Sequence, residues 1–226
     1  VRTRRRWTMA LPLSVDYAPM EAKPVDTLPA GPQWQYEPKW DGFRCLAFKD
    51  GDDVELRSKS GQPLDRYFPE IVDAVSSLAV KRCVLDGELV VPLDGALSFD
   101  DLLQRIHPAA SRVRKLARDH PALYVAFDLL VDADGRSLVD TPLEARRAAL
   151  ERFAALAFTD GSSFRLSPAT RSRADVEFSE DVGDVRARGV AARRPAGRHP
   201  RGRRRHGPRP QPLGLDQPAL GLRNGG

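Results

Sequence analysis

Apolar residues along this chain follow two different periods, and the shorter period marks four strands. Four runs are rich in Val, Leu, Phe and Tyr and have the length and composition of β-strands. They are FRCLAF (43–48), VELRS (54–58), CVLDGELVV (83–91) and ALYVAFDLL (122–130). The polar stretch DGDD between the first two favours a tight turn, so we expect these two strands to form a hairpin.

The helical period is clearest in the segment TPLEARRAALERFAALA (141–157). Thr141 is expected to be its N-cap, Pro142 its first helical residue, and Glu144 the acidic partner of a capping box. The apolar residues that recur at helical spacing predict one buried stripe; they are Leu143, Ala149, Leu150, Phe153 and Leu156.

Two shorter segments also carry helix signals, and together with the strands they indicate the fold class. SFDDLLQRI is predicted to be a helix capped by Ser98, and PEIVDAVSSLA a helix that starts at Pro69. Strands and helices alternate without a regular βαβ repeat, which predicts an α+β fold with antiparallel sheets flanked by helices.

Charge and composition divide the chain into three parts. The start is a basic leader (1–16), a mixed sequence follows (17–178), and the end (179–226) is rich in Arg, Pro and Gly. Residues 186–226 hold eleven arginines, no lysine and one acid, which leaves 25 basic and 30 acidic residues in positions 1–185. The basic character therefore belongs to the tail, which we expect to be disordered because it cannot build a core.

Cysteine usage and hydropathy exclude several classes of protein. Cys45 and Cys83 are the only cysteines, and neither has a metal-ligand spacing, so we expect two buried free thiols. No apolar run approaches the roughly 20 residues of a membrane helix. These features predict a cytoplasmic protein with no membrane partner.

The stretch EPKWDGFR (37–44) carries the most specific chemistry. Lys39 lies at the end of a strand between Pro38 and Trp40, where partial desolvation would lower its pKa and make the neutral amine a nucleophile. A lone KxDG tetrapeptide is weak evidence, because Asp-Gly is a common turn and a neighbouring lysine is usually solvated. Three further motifs follow it in order, however: LRSKSG, LDGELV and AFDLL.

With these four motifs the chain resembles the adenylation domain of covalent nucleotidyltransferases, most closely bacterial ATP-dependent DNA ligases, including those used in end joining. The resemblance covers roughly residues 17 to 175. It implies that Lys39 attacks the α-phosphate of ATP and holds AMP. It places Glu37 beside the adenine and Arg44 at the ribose.

The resemblance assigns roles to five more residues. Arg57 would approach the nucleotide and the DNA 5′-phosphate, and Ser58 and Lys59 would border the same DNA-binding surface. Glu88 would bind the ribose or Mg²⁺, and Phe127 would stack on the purine. Each of these residues could instead be a surface charge, a turn cap or a core residue. The order of the four motifs along the chain favours a nucleotide-binding site.

The family pattern is incomplete towards the C-terminus. An EGVVAK-like strand, a KxK-like strand and an OB-fold are not recognisable, and the nearest echo, RGVAAR at 188–193, has arginine in place of the acid. We treat that echo as chance. Our hypothesis is that the reading frame departs from the ancestral one between about residues 178 and 185. The alternative is that the tail is a functional polybasic arm.

The sequence therefore predicts an ATP-dependent DNA ligase that uses ATP and Mg²⁺ and seals nicked double-stranded DNA in repair or recombination. We expect a monomer associated with the nucleoid, with end-joining proteins as candidate partners. Two alternatives stay open. One is an RNA ligase or capping-type nucleotidyltransferase, and the other an inactive ligase-derived fragment that binds nucleic acid through its tail.

Overall fold

The structure, a computed structural model, describes residues 10–21, 27–93, 95–173 and 185–189. The described residues all belong to one compact unit, Val1–Arg193. Of the segment 179–226 that the sequence assigns to a disordered tail, everything except 185–189 lies outside the described residues.

Nine strands and four helices are described. In chain order they are β1 (Trp34–Pro38), β2 (Phe43–Asp50), β3 (Asp53–Ser58), α1 (Pro69–Ser76), β4 (Arg82–Val90), β5 (Pro92–Leu93), β6 (Ala96–Leu97), α2 (Phe99–Gln104), α3 (Ala110–Asp119), β7 (Leu123–Val131), α4 (Leu143–Ala157), β8 (Phe164–Leu166) and β9 (Val185–Gly189).

A five-stranded sheet with the order β3-β2-β4-β7-β8 forms the centre of the fold. Its pairs are antiparallel except for β7 and β8, which run parallel. The four strands predicted from apolar runs are β2, β3, β4 and β7, and the turn between β2 and β3 contains Gly51 at a φ of +63°. The α+β fold with a mainly antiparallel sheet is confirmed.

The two faces of the sheet have different partners. One face packs against α1 and α4 in the larger core, where Phe68, Ile71, Leu150 and Phe153 are buried. On the opposite face a smaller apolar cluster is covered by residues of the N-terminal segment; these are Leu11, Leu13, Val15 and Tyr17. Most of them fall within the stretch that the sequence assigns to a basic leader.

A second, two-stranded sheet pairs β1 with β9 in antiparallel register. Glu37 lies opposite Arg186, and Gln35 opposite Arg188. The echo RGVAAR therefore begins in a strand whose backbone adjoins the strand leading to Lys39.

Gly87 shows why the LDGELV motif needs a glycine in the middle of β4. A Cβ at this position would come within 2.5 Å of the Tyr124 ring and 2.6 Å of the Val125 carbonyl oxygen. The Tyr124 hydroxyl lies 2.7 Å from the Cys45 carbonyl oxygen and 3.0 Å from that of Leu85. Close packing of three strands around one buried ring, rather than a turn, fixes this glycine.

The predicted starts of α1 and α2 are confirmed. Pro69 is the first residue of α1. Ser98 caps α2, and its hydroxyl accepts a hydrogen bond from the Asp101 backbone N–H. The Phe43 ring packs edge-on against Phe68 and Phe99, with centroids 6.3 and 5.9 Å away, which joins the start of β2 to both helices.

The predicted capping box of α4 is wrong. Pro142, at a ψ of 144°, is the N-cap, and no side chain caps the helix. The Thr141 carbonyl accepts a hydrogen bond from Arg146 Nη1, and Glu144 forms an ion pair with Arg171 instead.

The stripe predicted for α4 is right at Leu143, Leu150 and Phe153 but wrong at Leu156, which is 70% exposed. Arg146 turns inward and forms a bidentate ion pair with Asp128 of β7 at 2.9 and 3.0 Å. This rotates the buried face towards Ala154 and Ala157 and away from Leu156.

Within the residues that the structure describes, no helix is long and apolar enough to cross a membrane.

Candidate functional site

Three of the predicted site residues lie on the face of the central sheet that also carries the N-terminal segment. Arg44 of β2 lies directly opposite Glu88 of β4 in the strand register. The Arg44 guanidinium lies over the Phe127 ring of β7, with Cζ 5.4 Å from the centroid. The structure therefore brings together the cation, the carboxylate and the aromatic platform that the sequence proposed.

Asp86 is a member of this group that the sequence reasoning missed. It accepts two parallel hydrogen bonds from Arg44, 3.0 Å from Nε and 2.7 Å from Nη2, and is almost fully buried. Arg44 Nη1 also donates to the Met20 carbonyl at 2.7 Å. A bidentate pair fixes the plane of a guanidinium, so Arg44 is held in one orientation over the Phe127 ring.

Lys39 lies immediately after β1, as predicted. Its side chain is 43% exposed, and Nζ lies 3.9 Å from a carboxylate oxygen of Asp41. Glu37, two residues earlier, is buried in β1, and its Oε1 accepts a hydrogen bond from Gln35 Nε2 at 2.5 Å. A buried acid and a half-exposed amine are thus carried by the same short stretch.

Gly42 locks the KWDG loop against β4. A Cβ on Gly42 would come 2.2 Å from the Leu89 carbonyl oxygen and 2.7 Å from Glu88 Cγ. Close approach therefore requires this glycine, and the loop that begins with Lys39 is pressed against the strand that carries Glu88.

A second connection to the same loop starts at Trp40. The indole Nε1 donates to the Ser167 hydroxyl at 3.0 Å, and Arg147 Nη1 of α4 donates to the Ser167 carbonyl at 2.8 Å. The Ser167 backbone N–H donates to the carbonyl of Ala126, next to Phe127. The loop of Lys39 and the strand of Phe127 are thus tied through one buried serine.

Neither Ser167 nor Arg147 was found from the sequence. Ser167 lies 127 residues from Trp40 and belongs to no recognisable motif. Arg147 looks like any cation of an amphipathic helix until the helix is docked on the sheet.

Arg57 and Ser58 are the last two residues of β3, and Lys59 is the first residue of the turn that follows it. Arg57 forms an ion pair with Glu55 and donates to the Gly61 carbonyl at 2.9 Å. The Ser58 hydroxyl accepts from the Gln62 backbone N–H at 3.0 Å, within the turn. Lys59 is half-exposed and forms an ion pair with Glu21 of the N-terminal segment at 3.2 Å. Arg57 and Ser58 are therefore held by their own hairpin, and Lys59 faces solvent.

Both cysteines are buried free thiols, as predicted. Burial raises the pKa of Cys83 to about 12 and that of Cys45 well above its ordinary value. A thiol that does not ionise is a poor nucleophile and a poor metal ligand, so neither cysteine contributes to the site.

A divalent metal would depend on Glu88. Among the described residues there is no cluster of three or more His, Cys, Asp or Glu side chains that could hold a metal. Mg²⁺ in nucleotide sites is usually held by one or two carboxylates together with phosphate oxygens. Glu88, a single buried carboxylate on the sheet face that also carries Arg44 and Phe127, is of the chemical type that this mode of binding uses.

With this geometry established, comparisons identify the family. The model of the family described as ATP dependent DNA ligase domain matches residues 19–207. The chain belongs to this family. The match continues through β9 and beyond the end that the sequence analysis gives to the domain.

Relatives and solved structures agree with the family. The chain is 52% identical over 148 residues to DNA ligase C1 of Mycolicibacterium smegmatis, which covers 63% of this chain and 42% of the relative. It is 46% identical over 178 residues to DNA ligase C of Mycobacterium tuberculosis, covering 77% of this chain and 49% of the relative.

The structure of mycobacterial DNA ligase D complexed with ATP and MES matches with a TM-score of 0.54 and 29% identity, over 71% of this chain and 50% of that one. The fold is thus that of the ligase domain. The chain spans about half the length of the curated relatives it matches.

Proposed function

We propose that this chain is the adenylating part of an ATP-dependent DNA ligase and that Lys39 forms the covalent bond to AMP. The observation that carries the proposal is the packing of Gly42 on Glu88, which presses the Lys39 loop against the face that holds Arg44 and Phe127. This packing supports the proposal that the nucleophile, the carboxylate, the cation and the aromatic ring act at one site.

In the first step the neutral Lys39 amine attacks the α-phosphorus of ATP. The new N–P bond forms as the bond from that phosphorus to the bridging oxygen breaks, and pyrophosphate leaves with the electron pair. The amine proton passes to solvent. Positioning and neutralisation of phosphate charge supply most of the catalysis in such reactions.

The surrounding residues of this chain would bind and orient the nucleotide. Phe127 would stack on the purine once the Arg44 guanidinium moves from the ring to the ribose, and Glu37 would be a buried acceptor beside the base. Glu88 would accept from a ribose hydroxyl or hold Mg²⁺ with the phosphates; bound Mg²⁺ would neutralise phosphate charge.

The later steps extend the proposal to DNA. AMP would pass to the 5′-phosphate of a nick, and the 3′-hydroxyl would displace it, with Arg57, Ser58 and Lys59 at the DNA side of the site. We propose nicked double-stranded DNA as the substrate, repair or recombination as the setting and end-joining proteins as candidate partners. We also propose that the protein is a monomer and that it is associated with the nucleoid in the cytoplasm.

The test is incubation of the purified chain with α-labelled ATP and Mg²⁺, followed by a denaturing gel. A labelled band is expected, lost in Lys39→Ala and kept in Lys81→Ala, a lysine on the exposed turn before β4. Label retained in Lys39→Ala would reject the proposed nucleophile. Label from GTP rather than ATP would favour a capping-type enzyme.

The charge of the tail favours one alternative function. Eleven arginines in residues 186–226 could bind nucleic acid without catalysis. In that case no band is labelled, and removal of residues 190–226, which leaves β9 in place, abolishes DNA binding while Lys39→Ala leaves it intact.

A further inference from the structure

Helix α3 has one face made almost entirely of cations. Val113 is its only fully buried residue, whereas Arg114, Lys115 and Arg118 are exposed. Successive residues are about 100° apart around a helix. The three cations therefore fall within about one third of the circumference, on the side opposite Val113.

This concentration of charge does not follow from the rest of the chain. Positions 1–185 contain 25 basic and 30 acidic residues, but the ten residues of α3 contain four basic residues and one acid. The acid, Asp119, forms an ion pair with Lys115. A cationic helix on a net acidic body is a local electrostatic feature rather than a means of solubility.

The C-terminal end of α3 is held by buried polar contacts. Arg105, only 1% exposed, donates to both carboxylate oxygens of Glu70 at 2.6 and 2.7 Å and to the His120 carbonyl at the end of α3 at 3.4 Å. Glu70 also accepts from the Ala122 backbone N–H at 3.1 Å. These contacts fix the C-terminal end of α3 on α1 and the start of β7.

The N-terminal end of α3 makes two hydrogen bonds to neighbouring residues at the protein surface. Arg66 Nη2 donates to the Pro108 carbonyl at 3.0 Å, and Arg112 Nη2 donates to Gln104 of α2 at 3.3 Å. With both ends fixed, the exposed cations project from a rigid support, which reduces the entropy lost when they bind a partner.

We propose that this face of α3 binds the phosphate backbone of the DNA duplex, outside the nucleotide cleft. The proposal rests on the proposed ligase function, which supplies DNA as the polyanion. Arg114 and Arg118 are one helical turn apart, about 6 Å along the axis, and a DNA strand presents a phosphate about every 3.4 Å of axis. The separation of the two arginines thus corresponds to about two phosphate steps on one strand, so the face can contact more than one phosphate at a time.

The chemistry of the face favours DNA over an acidic protein. Protein interfaces depend on a central cluster of aromatic or aliphatic anchors. The exposed side of α3 opposite Val113 offers Ser111, Arg114, Lys115 and Arg118, with no apolar anchor. Cations and hydroxyls are the groups that contact phosphates without reading the bases.

The test compares two full-length triple variants with the same charge change. The first is Arg114→Gln, Lys115→Gln, Arg118→Gln; the control is Lys81→Gln, Arg152→Gln, Arg165→Gln, three exposed cations elsewhere. Binding to a fluorescent nicked duplex is followed by anisotropy between about 50 and 200 mM NaCl. The tail is unchanged in both, so its contribution cancels.

The α3 variant is expected to bind more weakly and to reduce the slope of log affinity against log salt by roughly two to three, about one for each phosphate that the variant no longer neutralises. The control should lose less than one unit. Equal slopes in the two variants, with thermal melting unchanged, would overturn the proposal. If the wild type binds fluorescent polyglutamate more tightly than the α3 variant does, while both bind the nicked duplex equally, the partner of this face would be an acidic protein instead of DNA.

A further measurement keeps the result separate from the proposed function. AMP labelling of Lys39 should be the same in the α3 variant and the wild type. Loss of labelling in every sample would reject the ligase function while the salt slopes still decide the α3 surface. If the triple variant fails to fold, Arg114→Gln and Arg118→Gln alone should each reduce the slope by about one.

Discussion

At the residue scale, the site depends on side chains that orient its functional groups rather than on those groups alone. Asp86 fixes the plane of Arg44, and Ser167 fixes the ring of Trp40, the residue after Lys39. Both orienting residues are buried. The KWDG loop therefore has two independent attachments, Gly42 against β4 and Trp40 against Ser167.

We expect Ser167→Ala to lower the rate of Lys39 adenylation about fivefold, because one hydrogen bond worth about 1 kcal/mol no longer positions the loop. The effect should fall on kcat rather than on the KM for ATP, since Ser167 bonds to Trp40 and not to the nucleotide-binding side chains. The labelling rate measured at several ATP concentrations gives both quantities.

A double-mutant cycle separates positioning from general loosening. In a Trp40→Phe background the indole donor is already absent, so Ser167→Ala should cause no further loss of rate. Additive losses in the double variant would contradict the role of this hydrogen bond.

Asp65 gives a prediction about pH. Burial raises the pKa of this carboxyl above its ordinary value of 3.8, although the Leu56 backbone N–H donates to it at 2.7 Å. The folded state then binds the proton more tightly than the unfolded state. The contribution of Asp65 to the free energy of unfolding must therefore fall as pH rises from the ordinary pKa through the raised pKa. This loss is complete at neutral pH.

Asp65→Asn should therefore be more stable relative to wild type at pH 7 than at pH 3, because Asn keeps the acceptor oxygen and carries no charge. Urea unfolding at the two pH values measures the difference. An advantage that grows as pH falls would show that the sign is reversed.

At the scale of elements, periodicity was sufficient for the strands and insufficient for the docking of α4. The runs that became β2, β3, β4 and β7 are rich in apolar residues because both faces of the sheet are largely covered, and the few charged residues within them are mostly buried. In α4, Leu156 fits the helical period as well as Phe153 does, yet it is exposed. The inward turn of Arg146 towards Asp128 decides the face, and that pairing joins residues 18 apart in sequence across two elements.

The same limit applies to the candidate site. Lys39, Arg44, Glu88 and Phe127 could be named because they belong to short ordered motifs. Asp86 stands in one of those motifs, but its bond to Arg44 follows from the strand register, which the sequence does not reveal. Ser167 has no local signal at all, because its importance comes from a contact between distant segments.

Arg146 and Thr141 give a matched prediction at the two ends of one hydrogen bond. Arg146→Ala should cost about 3–5 kcal/mol of unfolding free energy, since it leaves the buried Asp128 carboxylate without its ion pair. Thr141→Ala should cost less than about 0.5 kcal/mol, because Thr141 contributes only its backbone carbonyl. Urea midpoints measure both changes. A cost near 1 kcal/mol for Thr141→Ala would indicate that the Thr141 side chain caps α4, contrary to the structure.

At the scale of the whole molecule, one sheet face serves both stability and the site. The N-terminal segment covers the part of this face that contains Leu46 and Phe48. The Ala10 backbone N–H anchors the segment by donating to the Asp50 carboxylate at 2.6 Å. The same segment continues to Met20, whose carbonyl holds Arg44, and to Glu21, which pairs with Lys59. Packing of the N-terminal segment is thus connected to the orientation of Arg44, the arginine proposed to contact the ribose.

This connection predicts that Leu11→Ala with Leu13→Ala affects both stability and nucleotide use. The two side chains are partly buried, so the expected loss is about 1–3 kcal/mol, below that of two fully buried leucines. The KM for ATP in the labelling reaction should rise as Met20 and Arg44 lose their fixed geometry. Leu156→Ala is the control, because that leucine is 70% exposed and should change neither quantity. A lower urea midpoint with an unchanged KM would mean that the segment stabilises the sheet without acting on Arg44, and an unchanged midpoint would mean that the segment does not contribute to the fold.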